Sequence, residues 1–291
     1  MAPTFWDAAM ESGTMRHQVL MICGLFACAG LAAQEKEGAK GALPIQDNSF
    51  LLEEAYNQED GVVQHINTFT RFRQSKDWVY TFTEEVPVPT QKHQLSVTVP
   101  FQRLEASLDG RRAFGDVALN YRYQALGDGE STVAFSPRFS LLLPTGDEKQ
   151  LRGNGALGYQ VNLPLSVMLS RQFVTHINLG TTFTPGAKSP LGEKADLSAW
   201  NFGQSFIWLA RPTFNAMLEF AYNSGEQVAG AGVKERVNTF FVNPGFRWAI
   251  NCKNGLQIVP GISVPIGVGP SKGERAIFLY LSFEHLLWKV K

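Results

Sequence analysis

Hydrolytic chemistry needs a hydroxyl or thiol nucleophile, a histidine base and an orienting group within hydrogen-bond reach of one another. In this chain the arrangement nearest to that requirement is His176-Ile-Asn178, with Ser136, Ser140 and Ser166 on neighbouring segments. Serine is common in any β-wall, and His176 has no serine beside it on its own segment. Neither Gly-x-Ser-x-Gly nor His-Glu-x-x-His occurs. Cys23 and Cys28 fall in an apolar N-terminal stretch, leaving Cys252 alone, so no intramolecular disulfide or thiolate metal cluster is expected. Gly153-Asn-Gly155 and Ala229-Gly-Ala-Gly232 precede no predicted helix and read as loops rather than phosphate cradles. No catalytic residue, cofactor or metal site is expected.

The other polar residues of interest matter through the face they share. From Gly61 onward the chain alternates with period two, the pattern of half-buried strands. In 159–170, Tyr159, Val161, Leu163, Leu165, Val167 and Leu169 oppose Gln160, Asn162, Ser166 and Ser170. Similar segments lie near 61–72, 78–88, 95–101, 114–126, 131–143, 173–184, 197–211, 214–223, 235–250, 255–267 and 275–288, about twelve in all. Each is near the ~9–11 residues that cross a bilayer as a tilted strand. Their polar faces carry Asp116, Asn120, Arg122, Arg138, His176, Asn178, Glu219, Asn243, Arg247 and Glu284. These ten are the candidate lumen-lining residues of an all-β, transmembrane antiparallel barrel. Arg122 and Arg138 sit on adjacent segments. They read either as a basic rung favouring anions or as partners of Asp116, Glu219 or Glu284, since a dry, unpaired charge is costly.

Composition agrees with that class. Twenty-six Lys plus Arg balance twenty-six Asp plus Glu, so nucleic acid is an unsuited partner. Beyond the N-terminus no apolar run approaches the ~20 residues of a helical span. Residues 1–33 read as a signal peptide, with Arg16 and His17 before the apolar Val19–Gly30 and small residues ending at Ala33. Asp7 and Glu11 suit such a leader poorly, which places the start of translation at Met15. Residues 34–60 then form an N-terminal periplasmic segment or plug, acidic at Asp47, Glu53, Glu54, Glu59 and Asp60, and 61–291 form the barrel.

Connections alternate between long (106–113, 144–157, 185–196, 224–234, 268–274) and tight (127–130, 171–172, 211–213, 251–255). An outer-membrane barrel sorts its loops in this way, whereas a Greek-key sandwich does not. Trp78, Tyr80, Tyr121, Tyr123, Trp200, Trp208, Phe246, Trp248 and Trp288 gather near segment ends, as interfacial girdles do. Pro100, Pro137, Pro164, Pro244, Pro260 and Pro265 fall inside predicted strands and demand bulges or breaks.

Three stretches, Ile45–Ile66, Gly115-Asp-Val-Ala-Leu-Asn-Tyr-Arg-Tyr123 and Ser136-Pro-Arg-Phe-Ser-Leu-Leu-Leu-Pro-Thr-Gly-Asp147, resemble the outer-membrane proteins grouped as the MetA-pathway of phenol degradation family. The resemblance covers roughly 45–288. It implies a barrel in the bacterial outer membrane that passes small solutes, aromatic or hydrophobic compounds among them. Outer-membrane lipid and the outer-membrane assembly machinery are then its partners. The alternatives are a structural or adhesive barrel with a blocked lumen, and a soluble periplasmic β-protein.

Overall fold

The computed structural model describes residues 45, 48–107, 109–252 and 255–287; the expected signal peptide and Trp288 lie outside them. Alternating side chains fold the described chain into twelve antiparallel strands, each paired with the next. They are β1 Val62–Phe72, β2 Trp78–Pro87 and β3 His93–Arg103, then β4 in two parts, Arg112–Phe114 and Val117–Tyr123. The fifth, β5, is also split, Val133–Phe135 and Arg138–Leu143; β6 is Gly158–Ser170, β7 Phe173–Lys188 and β8 Lys194–Arg211. Next come β9 Phe214–Gly230, β10 Val233–Trp248, β11 Gln257–Ser263 with Ile266–Gly267, and β12 Ala276–Leu286. Val62–Phe72 pairs in register with Leu286–Ala276, so β12 meets β1 and the sheet closes. Closure removes both sheet edges, the condition for a β-structure in hydrocarbon.

Outside, Leu119, Tyr121, Phe139, Val161, Leu163, Leu179, Phe202, Phe206, Phe246 and Leu279 are exposed at alternate positions; inside, the polar partners are buried. Ring pairs mark two levels on the outer wall. Phe173–Trp208 and Phe214–Phe246 lie at one end, and Trp78–Phe101 and Trp200–Tyr222 toward the other. Trp200 and Trp208 are eight positions apart on β8. At ~3.3 Å per residue that is roughly 26 Å along the strand, or about 20 Å of height at the usual tilt of about 35–45°, which fits within the ~25 Å apolar band of such barrels.

One end, here the turn end, carries the β2–β3, β4–β5, β6–β7, β8–β9 and β10–β11 connections and both ends of the barrel chain. The loop end carries the rest. Two of the connections expected to be long loops are instead mostly ladder. Pairing between β9 and β10 runs out to Gly230↔Val233, and between β7 and β8 to Lys188↔Lys194. Cross-strand charge sustains the first extension, because Glu226 takes Lys234 and Arg236, both at 2.9 Å. The prolines explain where strands break. Pro100, Pro164 and Pro244 each present a carbonyl that accepts from Gly115, Ser136 and Val264, beside the interruptions of β4, β5 and β11. The missing proline donors thus face gaps in neighbouring ladders.

Candidate functional site

Register carries the candidate residues onto inclined rungs. One rung runs from Gln94 through Arg122, Arg138, Asn162, Gly180 and Asn201 to Asn223. A second joins Ser166, His176, Ser205, Glu219 and Asn243. All ten predicted residues are buried. They do not form one cluster. Asn120 donates to Ser96 Oγ (3.1 Å), and Gln64 reaches Glu284 at 3.4 Å. Asp116 is held at the loop end by the backbone amides of Gly146 and Asn154, each at 2.9 Å.

The interior is occupied by the segment before β1. It begins at the turn end, where Ile45 N–H donates to Pro212 O (2.5 Å). It returns there at Asp60, which accepts from Gln91 N–H. Between these points its backbone bonds to wall side chains in place of a strand. Phe50 and Leu51 N–H donate to Glu219 (2.9 Å each), Ala55 N–H to Ser166 (2.8 Å), Asn57 N–H to Gln124 (2.9 Å) and Gln58 N–H to Gln94 (2.7 Å). Asn178 pairs with both backbone groups of Glu53, accepting from N–H (2.9 Å) and donating to O (2.7 Å). Buried backbone groups must be paired, and these wall amides and carboxylates do it.

The arginines find partners in this segment, and not in the carboxylates expected from sequence. Arg138 pairs with Glu53 at 2.6 Å and also donates to Gln160 Oε1 at 2.6 Å. Arg122 donates to Tyr56 O (2.6 Å), Asn57 Oδ1 (2.9 Å) and Glu54 O (3.3 Å), with the Glu54 carboxylate at 3.5 Å. Asp116 and Glu219 are already taken, by loop amides and by Phe50, Leu51 and Asn243 respectively. Arg247, on β10, donates to Asn48 at 3.4 Å. A free basic rung is therefore absent from the described residues.

Small wall residues make room for the segment. A methyl group at Gly203 would lie 2.1 Å from Leu52 Cδ2, and one at Gly261 would lie 2.6 Å from Phe50 Cζ. Phe50 then packs at a tilt against Phe278 and Tyr280, with centroids 5.3 and 5.4 Å away. Inward-facing glycine on a strand signals close backbone approach, and these positions could have been read that way from sequence. Ser166 Oγ lies 2.7 Å from His176 Nδ1, nucleophile–base geometry that the sequence spacing did not reveal. The same oxygen accepts from Ala55 N–H, and Tyr56 packs edge-on against the imidazole. Both side chains are sealed beneath the segment, so the pair works as a pin.

Above the segment, toward the loop end, lies a cavity. Leu51, Leu52 and Glu53 line it along with wall residues of both chemistries. Elsewhere at the loop end two loops lock together. Arg152 donates to Asp109, to Ser107 Oγ (2.9 Å) and to Arg111 O (2.9 Å). The Ser107 hydroxyl, the Arg152 guanidinium and the Arg111 amide hold the Asp109 carboxyl well below the usual carboxylate range.

No family model matches the chain, and no curated protein matches it in sequence. Solved structures do match in fold. The chain is similar to the COG4313 outer membrane channel from Pseudomonas putida F1, with 12% identity, TM-score 0.62, and coverage of 80% of this chain and 97% of that one. It is also similar to the NanC porin, with 10% identity, TM-score 0.51, and coverage of 75% and 98%. At these identities the likeness concerns the barrel fold.

Proposed function

We propose that this chain is a channel of the bacterial outer membrane for small solutes, and that residues 45–60 are its internal plug. The observation that carries the reading is the pairing of an apolar outer wall with a polar interior whose cavity lies toward the loop end and is lined by Leu51, Leu52 and Glu53 of the segment. The turn end, where the barrel chain begins and ends, faces the periplasm in this reading, and the loop end faces outward. Outer-membrane lipid and the outer-membrane assembly machinery are the partners. Motif resemblance to the MetA-pathway of phenol degradation family and fold likeness to outer-membrane channels both support passage over catalysis. Of the ten predicted interior residues, Asn178 lines the cavity, and Arg122, Arg138, Asn178, Glu219 and Arg247 bond to the segment beneath it.

A structural barrel with a blocked lumen is the second reading, favoured by the number of bonds that fix the segment to the wall. Liposome swelling separates the two. The intact chain should admit small neutral solutes slowly, and a chain lacking residues 45–58 should admit them much faster. If the shortened barrel, folded and inserted, admits no more than empty liposomes, the passage reading fails.

A further inference from the structure

Two histidines meet on the outer wall where the barrel closes. His65 of β1 and His285 of β12 lie near the turn end, on the two strands whose pairing shuts the sheet. They are 220 positions apart in sequence, a separation that no spacing rule reads as a metal motif. Both are half-buried and have outward parity, since Gln64, Ile66 and Glu284 beside them are buried. Their Nε2 atoms are 3.2 Å apart. Two imidazole nitrogens on one zinc ion, at bonds of ~2.0–2.1 Å and a tetrahedral angle, lie ~3.3 Å from each other. We infer that His65 and His285 bind one divalent transition-metal ion, of the zinc or copper kind, across the closing seam. The site uses neither the cavity nor the interior segment, so it stands or falls apart from the passage reading.

The far side of each ring supports this. Glu84 Oε2 of β2 lies 3.6 Å from His65 Nδ1, and Leu286 O lies 3.4 Å from His285 Nδ1. An acceptor at Nδ1 draws the ring proton there and leaves Nε2 with its lone pair. A carboxylate and a backbone carbonyl are also the usual acceptors behind metal-bound imidazoles. Two lone pairs facing each other at 3.2 Å repel unless a cation lies between them. The metal-free alternative puts one ring's proton on Nε2, to donate to the other ring. That ring's Nδ1 then faces its oxygen without a proton. Packing holds the pair in place, because Phe82 stacks on His65 with centroids 6.3 Å apart and Phe283 is the register partner of His65. Among the described residues no set of three or more His, Cys, Asp or Glu forms a metal cage, so the remaining positions on the ion belong to water or another outside ligand. The His65 side chain keeps 29% of its surface exposed, which leaves a way in. Imidazole ligands with open positions suit zinc and copper(II), copper being the tighter in the Irving–Williams order.

The test uses the full, untagged chain in nanodiscs, with empty nanodiscs subtracted, and titrates copper(II) as the probe, read by electron paramagnetic resonance. The wild-type chain should bind copper with hyperfine coupling to two imidazole nitrogens. Losing an outer-sphere partner alone typically costs a metal site ~10–100-fold in affinity, so losing a ligand should cost at least roughly tenfold. His65→Gln and His285→Gln should each show that loss and leave coupling to at most one nitrogen. His93, whose Nδ1 lies 2.7 Å from the Tyr121 hydroxyl elsewhere on the outer wall, is the control, and His93→Gln should leave copper binding unchanged. Heat-modifiable gel mobility confirms the folded barrel in each chain. A wild-type spectrum with fewer than two coupled nitrogens overturns the site, whatever the variants do. Copper binding that survives either His65→Gln or His285→Gln at full affinity overturns it too, as does equal weakening by His93→Gln.

Discussion

Arg138 and Glu53 show how one pair can fix a whole segment. Both side chains are almost fully buried, and their 2.6 Å contact joins β5 to the interior segment. Removing one partner of a buried pair leaves the other uncompensated, which typically costs about 3–5 kcal/mol. Glu53→Gln and Arg138→Gln should each show that loss in urea unfolding from bilayers, while the double substitution should recover part of it. Strict additivity of the two losses would mean the pair does not act as a unit. On the outer wall, Leu163→Arg at mid-strand should cost about 2–4 kcal/mol. Leu163→Met should cost far less, and equal costs would contradict the lipid-facing assignment. Period-two alternation sets Arg122, Arg138, His176 and Glu219 on the polar faces of their segments, and all four are buried. Their partners were not legible, because residues 48–60 have no period of their own and bond to wall side chains at scattered sequence separations.

The loops that meet at the loop end behave as one unit. Arg152, in the β5–β6 loop, donates to Asp109 and to Arg111 O in the β3–β4 loop, and Gln102 of β3 donates to Arg152 O at 3.3 Å. The Asp109 carboxyl is depressed in the folded chain, so its contribution is fully present above the ordinary aspartate value of ~3.9 and is lost as pH falls through the lowered folded value. The 144–157 loop should therefore resist pepsin at pH 4 and become cleavable only at markedly lower pH. Asp109→Asn should already be cleaved at pH 4, and identical cleavage of the two chains there would show that the latch does not depend on this carboxylate. Strand positions and the alternation of connections could be read from sequence because turn residues and apolar periodicity are local. The lengths of β9 and β10 could not, since the Glu226–Lys234 and Glu226–Arg236 pairs that extend them form only once the strands are in register.

At the scale of the whole barrel, charge and occupancy are coupled. With the segment in place, Arg122 bonds to its carbonyls and Arg138 to Glu53, so neither guanidinium is free to act on a passing ion. Taking the segment away should return both to water on one rung of the wall, where fixed charge biases which ions pass. Arg122→Gln with Arg138→Gln should therefore have opposite consequences in two backgrounds. In the intact chain it strands Glu53 in the interior and should lower unfolding stability, by about 3–5 kcal/mol if the site stays dry, with little change in reversal potential. In a chain lacking residues 45–58 the same substitutions remove only solvated charge. Stability should then hold, and the reversal potential should move away from anions. Bilayer recordings and urea titrations on the four chains separate these outcomes. A selectivity shift of equal size in both backgrounds would mean that the arginines already face a working path with the segment present, and that the segment is not the closure of this barrel.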